Sequence, residues 1–107
     1  MEPLTIGKDV LIGLNCIFRA ADHLFSDNTL PIKNQGHIGG EIIVQDDCWL
    51  DGNVVALRDA TIGEGGIIGT GAVVTKRIPP FCIAGGVPVR IIGSRKEKVT
   101  IDERRRN

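Results

Sequence analysis

The sequence predicts an all-β solenoid, because an apolar residue recurs at every sixth position and glycine often follows it. A short fixed period is typical of a solenoid, in which each repeat buries its apolar residue only by stacking on the next repeat. An amphipathic helix would need apolar residues three and four positions apart. The glycines between 61 and 74 would each cost such a helix about 1 kcal/mol relative to alanine. An antiparallel sandwich gives no reason for a strict period of six.

The repeats form two series, one that contains Ile6, Ile12 and Phe18 and one that begins at Ile38. The second series continues through Val44, Leu50, Ala56, Ile62, Ile68 and Val74, with small or apolar residues four places after its members at Ile42, Cys48, Val54, Ala60, Gly66, Ala72 and Ile78. Six residues supply one short strand and one corner, so three repeats close a triangular coil. Glycine directly after an inward residue allows the close backbone packing that such corners require.

The segment 24–37 separates the two series, whose registers differ by two positions. We expect this segment to leave the solenoid as an excursion loop, since Pro31 and Gly36 suit a loop. The sequence therefore predicts a β-helix domain over 1–93 with a loop insertion at 24–37. The charged segment 94–107 departs from the period and is predicted to form a short C-terminal helix or tail.

Length and charge restrict the class of protein further. A chain of 107 residues suffices for about four or five triangular coils. Such a solenoid has a narrow core, so we expect oligomerisation to cover its remaining apolar surface. The formal net charge of zero and the lack of a basic face with interleaved aromatic residues argue against nucleic acid as a partner. The sequence has no recognisable signal peptide and no apolar run long enough to span a membrane, so a cytoplasmic location is expected.

Cysteine and histidine usage argues against a metal site. Cys16 and Cys48 occupy small inward positions of the repeat and Cys82 lies apart from them, so we interpret the cysteines as reduced rather than as disulfides or ligands. A carbonic anhydrase on the same kind of scaffold would need three histidines around zinc, and the chain has two. We therefore expect no metal.

Three motifs resemble the hexapeptide-repeat acyltransferases, and the resemblance covers most of the chain between Ile6 and Gly93. They read IGKDVLIGLNCIFRAADH (6–23), DDCWLDGNVV (46–55) and TIGEGGIIGTGAVVTKRIPPFCIAGGVPVRII (61–92). The sequence is most similar to acetyl-CoA-dependent sugar and polysaccharide O-acetyltransferases related to galactoside and maltose acetyltransferases. The resemblance implies a left-handed parallel β-helix, a homotrimer and an acetyl-CoA site between neighbouring subunits.

The resemblance also implies a set of site residues. His23 matches the family's catalytic histidine, which as a general base takes the proton of a sugar or glycan hydroxyl that attacks the thioester. The remaining positions are implied to bind the substrates: Asn15 and Trp49 beside the acceptor and the pantetheine channel, and Gly52, Thr70, Thr75, Lys76 and Arg90 around acetyl-CoA. Arginine and lysine suit the phosphates of that donor.

Several departures from the family pattern leave a second interpretation open. Asp51 puts a carboxylate where relatives have glycine, close to the expected position of the thioester. Arg58 and Asp59 replace Pro-Gly in the following turn. Relatives also carry earlier coils that hold the acceptor, whereas this chain begins within five residues of its first repeat. The alternative is thus a non-catalytic trimeric scaffold, or a ligand-binding remnant that lacks the acceptor-binding N-terminal coils, because fold does not fix function.

Overall fold

The computed structural model describes residues 3–95, which form a prism of stacked triangular coils. Coil 1 contains β1 (Leu4–Ile6), β2 (Leu11–Ile12) and β3 (Ile17–Arg19), and coil 2 contains β6 (Ile42–Val44), β7 (Trp49–Leu50) and β8 (Val55–Leu57). Coil 3 contains β9 (Thr61–Ile62), β10 (Ile67–Ile68) and β11 (Val73–Val74), and coil 4 contains β12 (Arg77–Ile78) and β13 (Cys82–Gly85). Between coils 1 and 2 the chain forms β4 (Ala21–His23) and β5 (His37–Gly39), and it closes coil 4 with β14 (Arg90–Ser94).

Each side of the prism is one sheet. Sheet A has the order β1-β6-β9-β12, sheet B the order β2-β7-β10-β13-β14, and sheet C the order β3-β8-β11. Neighbouring coils pair in parallel register in these three sheets, and β14 is added antiparallel on β13. The fold is therefore the left-handed parallel β-helix that the sequence resemblance predicted.

The core consists of the two inward files that the period of six identifies. Val44, Leu50, Ile62 and Ile68 are at most 1% exposed. The residues four places later, which include Cys48 and Val54, are buried equally well. Ile38 is an exception, because it lies in β5 outside the prism and is 44% exposed. The prediction that Ile38 begins the second series of inward residues was therefore wrong.

Coil 1 forms an open end of the core. Ile6 pairs in register with Val44 and Ile12 with Leu50, so both isoleucines point inward. They nevertheless remain 42% and 40% exposed, because within the described residues no coil stacks on their other side. The buried part of the core is thus concentrated in coils 2 to 4.

Residues with positive φ mark the corners and stack from coil to coil. At the corner between sheets B and C, Asn15, Asn53 and Gly71 have φ values of 61°, 60° and 78°. Asparagine and glycine are the residues that adopt this left-handed conformation most readily. The amide of Asn53 donates to the carbonyl of Leu14, and the amide of Gly71 donates to that of Gly52, so the corner is a continuous hydrogen-bonded ladder.

The predicted excursion is an antiparallel hairpin. Ile6 and Val44 are register neighbours 38 positions apart, whereas Val44 and Ile62 are 18 positions apart, so the excursion adds 20 residues to a coil. It begins with β4, three residues before the predicted loop, and includes a 3₁₀ helix over Ile32–Asn34. Gln35 closes the loop by hydrogen bonds to the backbone of Asp27.

The C-terminal side of the prism ends with β14, and Arg95 donates hydrogen bonds to the Asp47 carboxylate and the Gly65 carbonyl. Most of the predicted C-terminal helix or tail, residues 96–107, lies outside the described residues. Within residues 3–95, no helix is long and apolar enough to cross a membrane.

Candidate active site

His23 stands on the excursion hairpin directly opposite the other histidine. His23 pairs with His37 across β4 and β5, and their ring centroids lie 6.3 Å apart with an interplanar angle of 76°. The amide of Leu24 donates to the Gly36 carbonyl, and the amide of Gly40 donates to the Ala20 carbonyl. By the alternation of an antiparallel ladder, His23 and His37 therefore form a non-hydrogen-bonded pair, in which side chains approach most closely. The hairpin thus presents two exposed imidazoles edge to face.

An arginine–aspartate network lies at the base of this hairpin. The Asp22 carboxylate accepts a hydrogen bond of 2.9 Å from Arg58 Nε and forms a second ion pair of 2.9 Å with Arg19 Nη2. The hydrogen bond from Arg58, together with Arg19, holds the pKa of Asp22 below its ordinary value. Asp59 in turn accepts from Arg58 Nη1 at 3.1 Å. Asp22 is thus engaged with the arginines and does not orient the neighbouring His23 ring.

His23 and the network line one open cavity of about 510 Å³. Leu24, Phe25 and Ile38 give it apolar walls, while Arg19, Asp22, Ser26 and Arg58 give it hydrogen-bonding groups. Because Asp22 and Asp59 pair with the two arginines, the charges around the cavity balance. Such a cavity suits a neutral molecule that has both an apolar face and hydroxyl groups.

Asn15, Gly52 and Thr70 lie together at the corner between sheets B and C. They belong to coils 1, 2 and 3, and the corner ladder stacks their turns on one another. Gly13 makes the stacking possible, since a Cβ at that position would lie 2.7 Å from the Gly52 nitrogen. The three residues therefore form one vertical edge of the prism.

The Asp51 carboxylate is hydrogen-bonded to the Gly52 amide at this edge. The Gly52 N–H donates to Asp51 Oδ1 at 2.8 Å, and the carboxylate is half-buried. The Asp51 carbonyl accepts a hydrogen bond of 3.2 Å from Cys16 Sγ. The other inward cysteine, Cys48, lies in the core, where burial raises the pKa of its thiol. The Asp51 carboxylate therefore bonds to the amide of a residue that the sequence resemblance implies to bind acetyl-CoA.

Trp49 lies on the outer face of sheet B. It pairs in register with Leu11 and Ile67, and its neighbour Leu50 points into the core, so the indole points outward and is 46% exposed. Leu11 is 67% exposed on the same face. The outer face of sheet B thus carries an apolar stripe that the described chain leaves uncovered.

Thr75 and Lys76 lie at a different edge, the corner between sheets C and A. This corner is short, because Ile62 and Ile78 are register neighbours 16 positions apart, whereas Val44 and Ile62 are 18 positions apart. The hairpin that carries His23 leaves the prism at the same edge, from coil 1. Arg90 begins β14, is exposed and pairs with Gly85. One copy of the chain therefore distributes the predicted site residues over two edges of the prism and over sheet B.

Sequence reasoning missed three features of the site. The pairing of His37 with His23 was not predicted, although the place of His37 at the end of the excursion could have suggested it. The ion pair between Asp22 and Arg58 joins positions 36 residues apart, and no local pattern announces it. The direction of the Asp51 carboxylate depends on side-chain rotation, which the sequence leaves open.

The resemblance to hexapeptide-repeat acetyltransferases that the sequence predicted is confirmed by comparison with known proteins. No protein-family model matches the chain. The solved structure of the hexapeptide-repeat acetyltransferase VCA0836 from Vibrio cholerae, complexed with acetyl coenzyme A, matches 89% of the chain at 36% identity with a TM-score of 0.82. A galactoside acetyltransferase in complex with coenzyme A matches 87% of the chain at 35% identity with a TM-score of 0.80.

A curated relative from Mycobacterium tuberculosis (strain ATCC 25618 / H37Rv) is named probable acetyltransferase Rv3034c. It is 39% identical over 93 residues, or 87% of the chain. The chain spans 31% of that protein, and 51% and 46% of the two crystallised chains. The likeness therefore concerns the β-helix, and not the whole length of these relatives.

Proposed function

We propose that this protein is an acetyl-CoA-dependent O-acetyltransferase that moves an acetyl group to a hydroxyl of a sugar or glycan. The observation that carries the proposal is the placement of His23 on a hairpin beside a cavity with apolar walls and balanced charge. The likeness to structures that hold acetyl-CoA and coenzyme A supports the choice of donor.

The separation of the two edges supports a site shared between copies. His23 belongs to the edge between sheets C and A, and Gly52 to the edge between sheets B and C. The width of sheet C between them amounts to about five residues, or roughly 17 Å at about 3.3 Å per residue. A general base must come within about 3 Å of the proton it takes. A second copy whose Gly52 edge lies beside the His23 hairpin would close this gap, as in a homotrimer.

The apolar stripe on sheet B supports the same assembly. Leu11 and Trp49 lie side by side on one flat face and are 67% and 46% exposed, so a monomer would present this apolar surface to water. A second copy would cover them, and Trp49 would then border the groove in which the donor's pantetheine runs. Arg90 and Lys76 supply the cations that the phosphates of the donor require.

The chemistry follows from these positions. The His23 imidazole takes the proton of the acceptor hydroxyl while its oxygen bonds to the thioester carbon. The carbonyl oxygen becomes an oxyanion, which a backbone amide at the Gly52 corner stabilises. The carbon–sulfur bond then breaks, the acetyl ester remains on the acceptor, and the protonated His23 returns its proton to the thiolate.

The cavity beside His23 suits the acceptor. Phe25 offers an exposed aromatic face for one side of a sugar ring, and Asp22 and Arg58 can bond to its hydroxyl groups. Because the arginines are already paired, an uncharged sugar fits this cavity better than an anionic one. The acceptor is accordingly proposed to be a neutral sugar or glycan unit.

The test is calorimetric binding of acetyl-CoA to wild-type, Arg90→Ala and His23→Ala proteins, followed by thiol release in the presence of sugars. We expect Arg90→Ala to weaken binding, and His23→Ala to bind normally but to lose a factor of roughly 10² to 10⁴ in turnover. Gly39→Ala serves as a control, since an added methyl there meets nothing within 4 Å. The absence of donor binding by the wild-type oligomer would overturn the proposal and favour the non-catalytic scaffold.

A further inference from the structure

The Asp51 side chain accepts one hydrogen bond within residues 3–95, from the Gly52 amide. Of the four ion pairs found in residues 3–95, none includes Asp51. The Gly52 carbonyl accepts from the Gly71 amide in the corner ladder, and the Gly52 N–H has a side-chain acceptor. Asp51 Oδ1 takes that N–H at 2.8 Å. The half-buried Asp51 carboxylate, which belongs to none of these ion pairs, thus accepts a hydrogen bond from the Gly52 amide.

The backbone around Gly52 is closely packed against coil 1 at its nitrogen and open at its Cα. A Cβ added at Gly52 would meet only the Leu14 carbonyl, at 3.6 Å, whereas a Cβ added at Gly13 would lie 2.7 Å from the Gly52 nitrogen. The Gly52 nitrogen is therefore held against coil 1, while Asp51 Oδ1 can leave it by rotation of its own side chain.

We propose that Asp51 is a positioning residue that controls access to the Gly52 amide. The proposal rests on the acetyltransferase function above. In the free protein the negative oxygen of Asp51 stands where the thioester oxygen would acquire its negative charge. Transfer then requires the Asp51 side chain to rotate away, so that the thioester oxygen can accept the N–H in its place. A carboxylate that stays beside the developing oxyanion repels it and slows turnover without necessarily weakening donor binding.

Two substitutions distinguish the effect of the hydrogen bond to the Gly52 amide from the effect of the Asp51 charge. Asp51→Ala removes both the acceptor and the charge, whereas Asp51→Asn removes the charge and retains an oxygen that can accept from Gly52. Since the loss of one oxyanion donor costs roughly 10² to 10³ in turnover, we expect Asp51→Ala to raise kcat by about tenfold to a hundredfold. Asp51→Asn should give a smaller increase, and KM for acetyl-CoA should change little in either variant.

Asp46 offers a matched control. Its Oδ1 accepts from the Lys8 amide at 2.8 Å, at the corner between sheets A and B, where no proposed site residue lies. Asp46→Ala should therefore lower the melting temperature about as much as Asp51→Ala does, but should leave kcat unchanged. A gain common to both variants would mean that loosening a corner, and not freeing the Gly52 amide, raises the rate, which would overturn the proposal.

The amide can also be observed directly by NMR. The Gly52 amide proton should resonate at a different frequency in the wild type and in Asp51→Ala, because only the wild type presents a carboxylate oxygen to it. Addition of acetyl-CoA should move the Gly52 resonance further in Asp51→Ala than in the wild type. A Gly52 resonance that ignores both Asp51 and acetyl-CoA would overturn the proposal. If the donor still binds and His23→Ala still abolishes turnover, the transferase function survives that result.

Discussion

Replacing Gly13 with alanine should destabilise the solenoid at the edge that carries the proposed donor site. A Cβ at Gly13 would lie 2.7 Å from the Gly52 nitrogen and 2.8 Å from the Asp51 carbonyl carbon. Both neighbours are backbone atoms, so they cannot rotate away as the end of a side chain could. Ordinary van der Waals contact begins at 3.4 Å, so coils 1 and 2 would have to separate locally by about 0.7 Å, the difference from 2.7 Å.

Overpacking of this kind costs about 1–3 kcal/mol in well-packed proteins. We therefore expect Gly13→Ala to lower the free energy of unfolding by about that amount. The shift should also carry the Gly52 amide outward and reduce turnover, because small displacements of a positioning group cost up to about a hundredfold in rate.

The assay is guanidinium denaturation of wild-type, Gly13→Ala and Gly39→Ala proteins at one fixed protomer concentration, since assembly affects apparent stability. Nothing lies within 4 Å of a Cβ at Gly39, so Gly39→Ala should leave stability unchanged or raise it by about 0.4–1 kcal/mol. Equal unfolding free energies for the two variants would refute the reasoning, because the close approach of coils 1 and 2 would then impose no constraint.

Three further predictions concern the core, the ion pairs and the histidines. Leu50→Ala should lower the unfolding free energy by about 2–5 kcal/mol, because Leu50 is fully buried; a loss below 1 kcal/mol in denaturation would contradict this. Arg58 lowers the pKa of Asp22 in the folded state below its ordinary value of 3.8. The pair therefore stabilises the fold at pH values above 3.8, and this stabilisation is lost as the pH falls through the lower pKa of the folded state. Asp22→Asn should thus be less stable than the wild type at pH 7 and match it in strong acid, as denaturation at both values would test. His37→Ala should reduce turnover roughly tenfold by freeing the His23 ring, His37→Phe should recover part of it, and identical rates for both would argue against a positioning role.

The inward files could be predicted from the sequence because their signal is local and repeated. Each coil depends on the same short spacing, and one register error, at Ile38, does not disturb the rest. The hairpin was harder to predict, since it interrupts the period and its strands pair across the loop 24–36. Its existence follows from the offset between the two series, whereas its length and the pairing of His23 with His37 do not.

The proposed site residues show the same division. The family motifs single out Asn15, Gly52 and Thr70 one by one as candidates, and the stacking of coils brings them to one edge. The motifs also single out His23 as a candidate, but they do not reveal that it stands on a different edge. The distance between edges is a property of the closed triangle and cannot be obtained from spacing along the chain.

The sequence by itself determined the solenoid, its inward residues and the class of enzymes it resembles, because a period of six constrains the backbone wherever it recurs. Only the tertiary structure decided that Asp22 bonds to Arg58 and that Asp51 covers the Gly52 amide. These contacts depend on side-chain rotation and on the approach of distant segments. Neither leaves a periodic trace in the chain, since each occurs once and joins groups whose positions are set by the whole fold.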